Sequence, residues 1–225
     1  MVMLLPLRSY CGNCLTYPKQ FGYVKQFLVL YSRTANSYHR FMNDHHLILG
    51  QLTDYLTGRR IDDTHDERYR QKLARHLVTQ CGYAKEDLTA RFKLTVSACG
   101  RQAIIPVDFL VTLSGKIGMI VKYGPGSLVT RHKPAIAAAR VICPYLIPVA
   151  VVTNGEDAHL LNSISGELTG EGLESIPSKE NLAQQLKNHD FSNVSIKMVE
   201  MANKIIYAFE VDGSCPCDTD ICRLP

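Results

Sequence analysis

The stretch QAIIPVDFLVTLSGKIGMIVKY, residues 102–123, reads as two apolar β-strands joined at the turn-like Ser114-Gly115-Lys116. Inside the first strand Asp108 stands among Pro106, Val107, Phe109, Leu110 and Val111. A carboxylate in such a run needs a partner or a task, because burying a bare charge is costly. Period-2 alternation predicts Asp108 on one face with Ile104, Pro106 and Leu110, and Val107, Phe109 and Val111 on the other. Lys122 ends the second strand after the apolar run 117–121. Two readings stay open for Asp108 and Lys122: a structural ion pair, or a site that holds a divalent cation and steadies a phosphate or an attacking water.

Outward from this pair, a third strand is expected over 89–97, before the turn Cys99-Gly100-Arg101. Upstream, the spacing of His46, Leu47, Leu49, Leu52, Tyr55 and Leu56 predicts a helix stopped by Gly58. A second helix is expected from Thr64 to about Cys81, with Tyr69, Leu73, Leu77 and Val78 on its apolar side. Thr64-His65-Asp66-Glu67 has the capping-box pattern, in which the Glu67 carboxylate ties back to the backbone at Thr64. Downstream come a small-residue helix over 134–141, a buried strand over 147–153, a turn at Asn154-Gly155 and a return strand over 158–161. Ser178 caps a further helix reaching about Lys187, and 196–211 reads as helix or strand. This order predicts an α/β fold with a mixed central sheet flanked by helices.

The chain has 225 residues, 46% hydrophobic and 20% charged, which suits one core with appendages and excludes a wholly disordered chain. No apolar run has the length of a bilayer span. The net charge of +4 belongs to residues 1–41, which carry Arg8, Lys19, Lys25, Arg33 and Arg40 and no acid, leaving 20 basic against 21 acidic residues elsewhere. This segment reads as a basic arm or as the product of a start placed too far upstream of Met42. The expected organisation is therefore a basic segment over 1–41, a core domain over 42–190 and a cysteine-bearing extension over 191–225.

Asp66-Glu67-Arg68 opening a helix, Cys81-Gly82-Tyr83 ending it, Asp108 in an apolar strand, Ile120-Val121-Lys122 ending the next, and a strand running into Val152-Thr153-Asn154-Gly155 make a recognisable series over roughly 63–161. It resembles the N-terminal nuclease domain of type I restriction enzyme R subunits, within the PD-(D/E)xK restriction-endonuclease-like fold. The resemblance implies DNA cleavage with Mg2+ held by the motif's Asp and Glu, while its Lys assists the water or the phosphate; Asp108 and Lys122 take two of these positions. The Glu position is Ile120, and no other Asp or Glu lies between Phe109 and Asn154. Glu67 is the remaining candidate ligand, because related nucleases bring a Glu from the first core helix to the same site. Nucleic acid, with DNA favoured, is the implied partner, and a cytoplasmic location is implied with it; a further protein partner or a homo-oligomer stays open.

Past Lys122, Gly124 and Gly126 lie in a glycine-rich turn, followed by Arg131, His132 and Lys133. Glycines permit close approach to a phosphate, and the cations are placed to grip a strand; a solvated loop is the plainer reading. The cysteines form a second group. Cys215, Cys217 and Cys222 crowd the tail, and Cys11 and Cys14 form a C-x-x-C near the start. Together they read as ligands for zinc or an iron-sulfur cluster, in a manner that looks like nucleases of CRISPR adaptation and bacterial recombination. Three functional classes follow: a metal-dependent nuclease with a degenerate site, a nuclease fold that binds nucleic acid or a partner without cutting, and a metal or redox sensor using the tail.

Overall fold

The computed structural model describes residues 47–212 and 221–224. Residues 1–46, 213–220 and 225, with Cys11, Cys14, Cys215 and Cys217 among them, lie outside the described residues.

Where a helix is expected before Gly58, the chain forms a hairpin of strands β1 (Gln51–Thr53) and β2 (Arg60–Asp62). The reason is local. Asp54 Oδ1 accepts hydrogen bonds from the backbone N–H groups of Leu56 and Thr57, both at 2.9 Å, and the Gly58 N–H donates to the Asp54 carbonyl at 2.8 Å. A buried Asp that gathers these amides favours a turn over a helix, and Gly58 completes it at φ +72°.

Helix α1 (His65–Thr79) starts as expected, with Thr64 accepting from the Glu67 N–H at 3.1 Å. The central sheet follows the path β3 (Leu88–Ala98), β4 (Arg101–Leu113), β5 (Lys116–Tyr123), β6 (Val149–Thr153), β7 (Ala158–Asn162) and β8 (Leu168–Glu171). The β3–β4 and β4–β5 connections are two-residue turns with both central residues at positive φ, Cys99-Gly100 and Ser114-Gly115. That is the geometry whose twist matches antiparallel strands. Neighbours along the path are antiparallel except β5 and β6, which run parallel around the crossover helix α2 (His132–Ala139). A last strand, β9 (Cys222–Leu224), pairs with residues 102–104 of β4.

One face of the sheet packs against α2, with Ala135, Ala137, Ala138 and Ala139 fully buried, and against α4 (Ile196–Ile206), which continues as a π turn over Tyr207–Val211. The other face packs against α1 through Leu73, Ala74 and Leu77, and against α3 (Lys179–Lys187) through Leu182. The described residues thus form an α/β domain with a mixed sheet between two helical layers, as the sequence predicts. None of their helices is long and apolar enough to cross a membrane. Strands β8 and β9 escape the sequence reading because Leu168-Thr169-Gly170-Glu171 and the tail lack an apolar run.

Gly155, in the turn between β6 and β7, lies directly against α1. Its φ is +91°, and a Cβ there would lie 2.3 Å from the Tyr69 ring of α1. Gly155→Ala combines left-handed strain with a clash, so it is expected to cost about 2–4 kcal/mol, read as a lowered urea midpoint at unchanged slope.

Candidate active site

Strict alternation fails at Asp108. On β4, Ala103, Ile105 and Val107 belong to the core beneath α2 and α4, whereas Phe109, Val111 and Leu113 belong to the core beneath α1. On β3, Phe92, Leu94 and Val96 side with the first core, and Leu88 and Ala90 with the second. Val107 is therefore separated from Phe109 and Val111, which corrects the face assignment expected from the sequence. The exchange falls where Arg91 faces Asp108, a position skipped in the β3–β4 register, and Arg91 has φ +54°. A non-glycine residue in that region costs about 1–2 kcal/mol, so the backbone turns over here against resistance.

Asp108, 4% exposed, has both carboxylate oxygens engaged. Oδ1 accepts from Arg70 Nε and Oδ2 from the Tyr123 backbone N–H, each at 2.6 Å. Glu67 does not tie back to Thr64. Its carboxylate turns inward, where Oε1 accepts from Gln71 Nε2 at 2.8 Å and from Arg91, and Oε2 lies 3.7 Å from Arg70. The other arm of the Arg91 guanidinium reaches Asp54 Oδ2 at 2.6 Å. Asp54, Arg91, Glu67, Arg70 and Asp108 thus form one chain of alternating charge that joins the β1–β2 hairpin, α1 and the β3–β4 pair. Around it the Tyr123 hydroxyl donates to Asp66 at 3.1 Å, and the Tyr123 ring stacks on Tyr69.

Burial works to raise the Asp54 carboxyl, but the Thr57 amide and Arg91 outweigh it and hold it below the ordinary 3.8. Burial likewise opposes charge on Arg91, and Glu67 and Asp54 overcome it, so the guanidinium is held more firmly charged.

Lys122 does not join this group. Along β5, Met119 and Val121 face the α1 core and Ile120 the other core, and the buried Lys122 ammonium lies 2.8 Å from Glu210 of the π turn, an ion pair without hydrogen-bond alignment. The structure brings Glu67 and Asp108 together through Arg70 and leaves Lys122 on another partner. Ile120, in the place of the motif's Glu, is fully buried in the core.

The loop after β5 is braced from within. The Arg131 guanidinium lies on Gly124, where a Cβ would sit 2.3 Å from its Cζ, and it donates to the Pro125 carbonyl at 2.9 Å. His132 is hydrogen-bonded to His159 of β7, with 2.7 Å between Nε2 and Nδ1. Gly126 and Lys133 are exposed. Cys222 is placed in β9. Sequence reasoning misses Asp54, Arg70, Arg91, His159 and Glu210, whose side chains reach the site or the loop from elements distant in sequence. The Arg at the third position after Glu67, on the same helical face, is the one signal available.

An acid-bearing strand beside a crossover unit, with a helix-borne carboxylate turned toward it, defines a domain built on a restriction-nuclease-like plan. The family described as type I restriction enzyme R protein N terminus matches residues 65–177, and the chain belongs to that family. No curated protein and no solved structure matches it.

Mg2+ requires a near-octahedral set of oxygens at about 2.1 Å. Here both Asp108 oxygens are taken, Glu67 is held by Arg91 and Gln71, and a guanidinium lies between the two carboxylates. The space bounded by Asp54, Arg70, Gln71, Arg91 and Asp108 has no room for a water molecule. Among the described residues no three His, Cys, Asp or Glu side chains could share a metal. This arrangement does not fit a divalent cation.

Two outcomes follow. Arg70→Met leaves Asp108 buried with only the Tyr123 amide and is expected to cost about 3 kcal/mol, with partial recovery in the Arg70→Met, Asp108→Asn double variant, both measured by urea unfolding. The lowered Asp54 carboxyl contributes stability that is complete above its unfolded value near 3.8 and is lost as pH falls through its folded value. The stability gap between wild type and Asp54→Asn, followed from pH 6 to about 3, is therefore expected to narrow on acidification.

Proposed function

We propose that this domain keeps the plan of a restriction nuclease but does not cut: it binds nucleic acid, DNA in first place, while an internal ion-pair chain occupies the position of the metal centre. The observation that carries this reading is the full engagement of Asp108 by Arg70 and the Tyr123 amide, beside a core-buried Ile120 where the motif's Glu would stand. With three carboxylates against two guanidiniums the chain of charges has a net charge of −1, which repels a phosphate and adds no affinity for one. Contact with nucleic acid falls instead to the loop over 124–133, where the exposed Pro125-Gly126-Ser127 turn and Lys133 stand beside Arg131. Because the described core lacks a bulk positive charge, its affinity rests on this local grouping and weakens steeply with salt.

The test uses labelled single- and double-stranded DNA and RNA with Mg2+ or Mn2+. The expected result is no product above that of an Asp108→Ala, Lys122→Ala double variant. Duplex binding that falls with salt and weakens several-fold in Lys133→Glu completes the expectation. Metal-dependent cleavage that disappears in Asp108→Asn would overturn the reading.

A further inference from the structure

One contact of this loop joins two titratable rings, His132 in the loop and His159 in β7. His132 opens α2 beside Arg131 and Lys133, and His159 lies in β7 opposite Val152 of β6 and Glu171 of β8. Their rings meet edge to face with centroids 4.9 Å apart, and the 2.7 Å between Nε2 and Nδ1 requires one nitrogen to carry a hydrogen and the other a lone pair. The neutral pair satisfies this. One added proton on an outer nitrogen keeps the contact and makes it charge-assisted; a second would set two N–H groups against each other and open it.

We propose that this pair is a proton-operated control on the nucleic-acid affinity of the loop over 124–133: a proton taken up at His132 in mildly acidic solution keeps the contact with His159 and adds a cation beside Arg131 and Lys133. The proposal rests on the reading of this loop as the contact surface.

Among the described residues, the neighbours of α2 bring no competing partner for His132. Strand β6 brings no charged side chain. On β5, Lys116 lies over the Tyr145 and Phe191 rings, and Lys122 is paired with Glu210. On α4 stand Lys197, Glu200 and Lys204, on β8 Glu171 is the register neighbour of His159, and just past the end of α2 Arg140 reaches the Ser163 carbonyl. Burial first, and then His159, hold the His132 imidazole below its ordinary 6.5, and among the described residues no carboxylate counters them.

The experiment joins two measurements on the full chain. Imidazole 15N spectra from pH 7.5 to 5 are expected to show His132 neutral at pH 7 and titrating below 6.5, moving toward 6.5 in His159→Gln, whose amide still bonds to His132 and keeps β7 and α2 joined. Anisotropy with a labelled DNA duplex is expected to show about fivefold to tenfold tighter binding at pH 5.5 than at pH 7.5, with a salt slope steeper by about one. His132→Gln should lose both effects, and His159→Gln should keep them with the pH midpoint moved upward, whereas Lys133→Gln should weaken binding at each pH and leave the ratio unchanged. Binding that ignores pH, or a pH ratio that survives His132→Gln, overturns the control alone. No binding at either pH overturns the contact surface together with the control.

Discussion

The Arg70–Asp108 pair is the constraint around which the site is organised. β4 must carry a carboxylate through the point where its side chains exchange one core for the other, and that carboxylate is buried. Among the described residues, a cation from α1 and an amide from β5 meet its two oxygens. Each donor fixes an element: Arg70 sets α1 on the sheet, and the Tyr123 amide sets the end of β5, past its last pairing with β4 at Val121. From Arg70 the same logic extends through Glu67 and Arg91 to Asp54, so the hairpin β1–β2 is tied in by charge as well as by the half-buried Tyr55 and Leu56. Such pairs add little when whole; their weight lies in the cost of removing one member.

This arrangement answers a chemical question with a structural device. Carboxylates gathered for a metal repel one another unless a cation is present. Here the cations are covalently part of the chain, and two guanidiniums offset two of the three carboxylates. The forked geometry of Arg91 suits it to bridge Asp54 and Glu67 at once, which a lysine's single ammonium would do less well. The ion pair of Lys122 with Glu210 completes the same theme on the opposite face.

The core of the fold is legible in the sequence because its strands and caps are local signals. Apolar runs, two glycine turns, and Thr64 and Ser178 at helix starts mark β3 to β7, α1 and α3. The hairpin at 51–62 is misread because its apolar spacing imitates a helix while the deciding feature, the Asp54 side chain collecting amides, has no periodicity. At the site, Glu67, Asp108 and Lys122 are readable as unusual residues, but their partners are not. Arg70, Arg91 and Glu210 approach through the tertiary fold, and the left-handed Arg91 breaks the alternation on which face assignment depends. The Glu67 backbone does take the cap at Thr64, and only its carboxylate departs from the pattern.

The central claim is that the Asp108 carboxylate is engaged internally and is closed to a divalent ion. Mn2+ titration followed by amide NMR tests it most directly, because the Tyr123 N–H bonded to Asp108 is a built-in reporter. A closed carboxylate leaves the Tyr123 amide signal with its linewidth unchanged at millimolar Mn2+; selective broadening of that signal, abolished in Asp108→Asn, would show that the ion reaches the carboxylate.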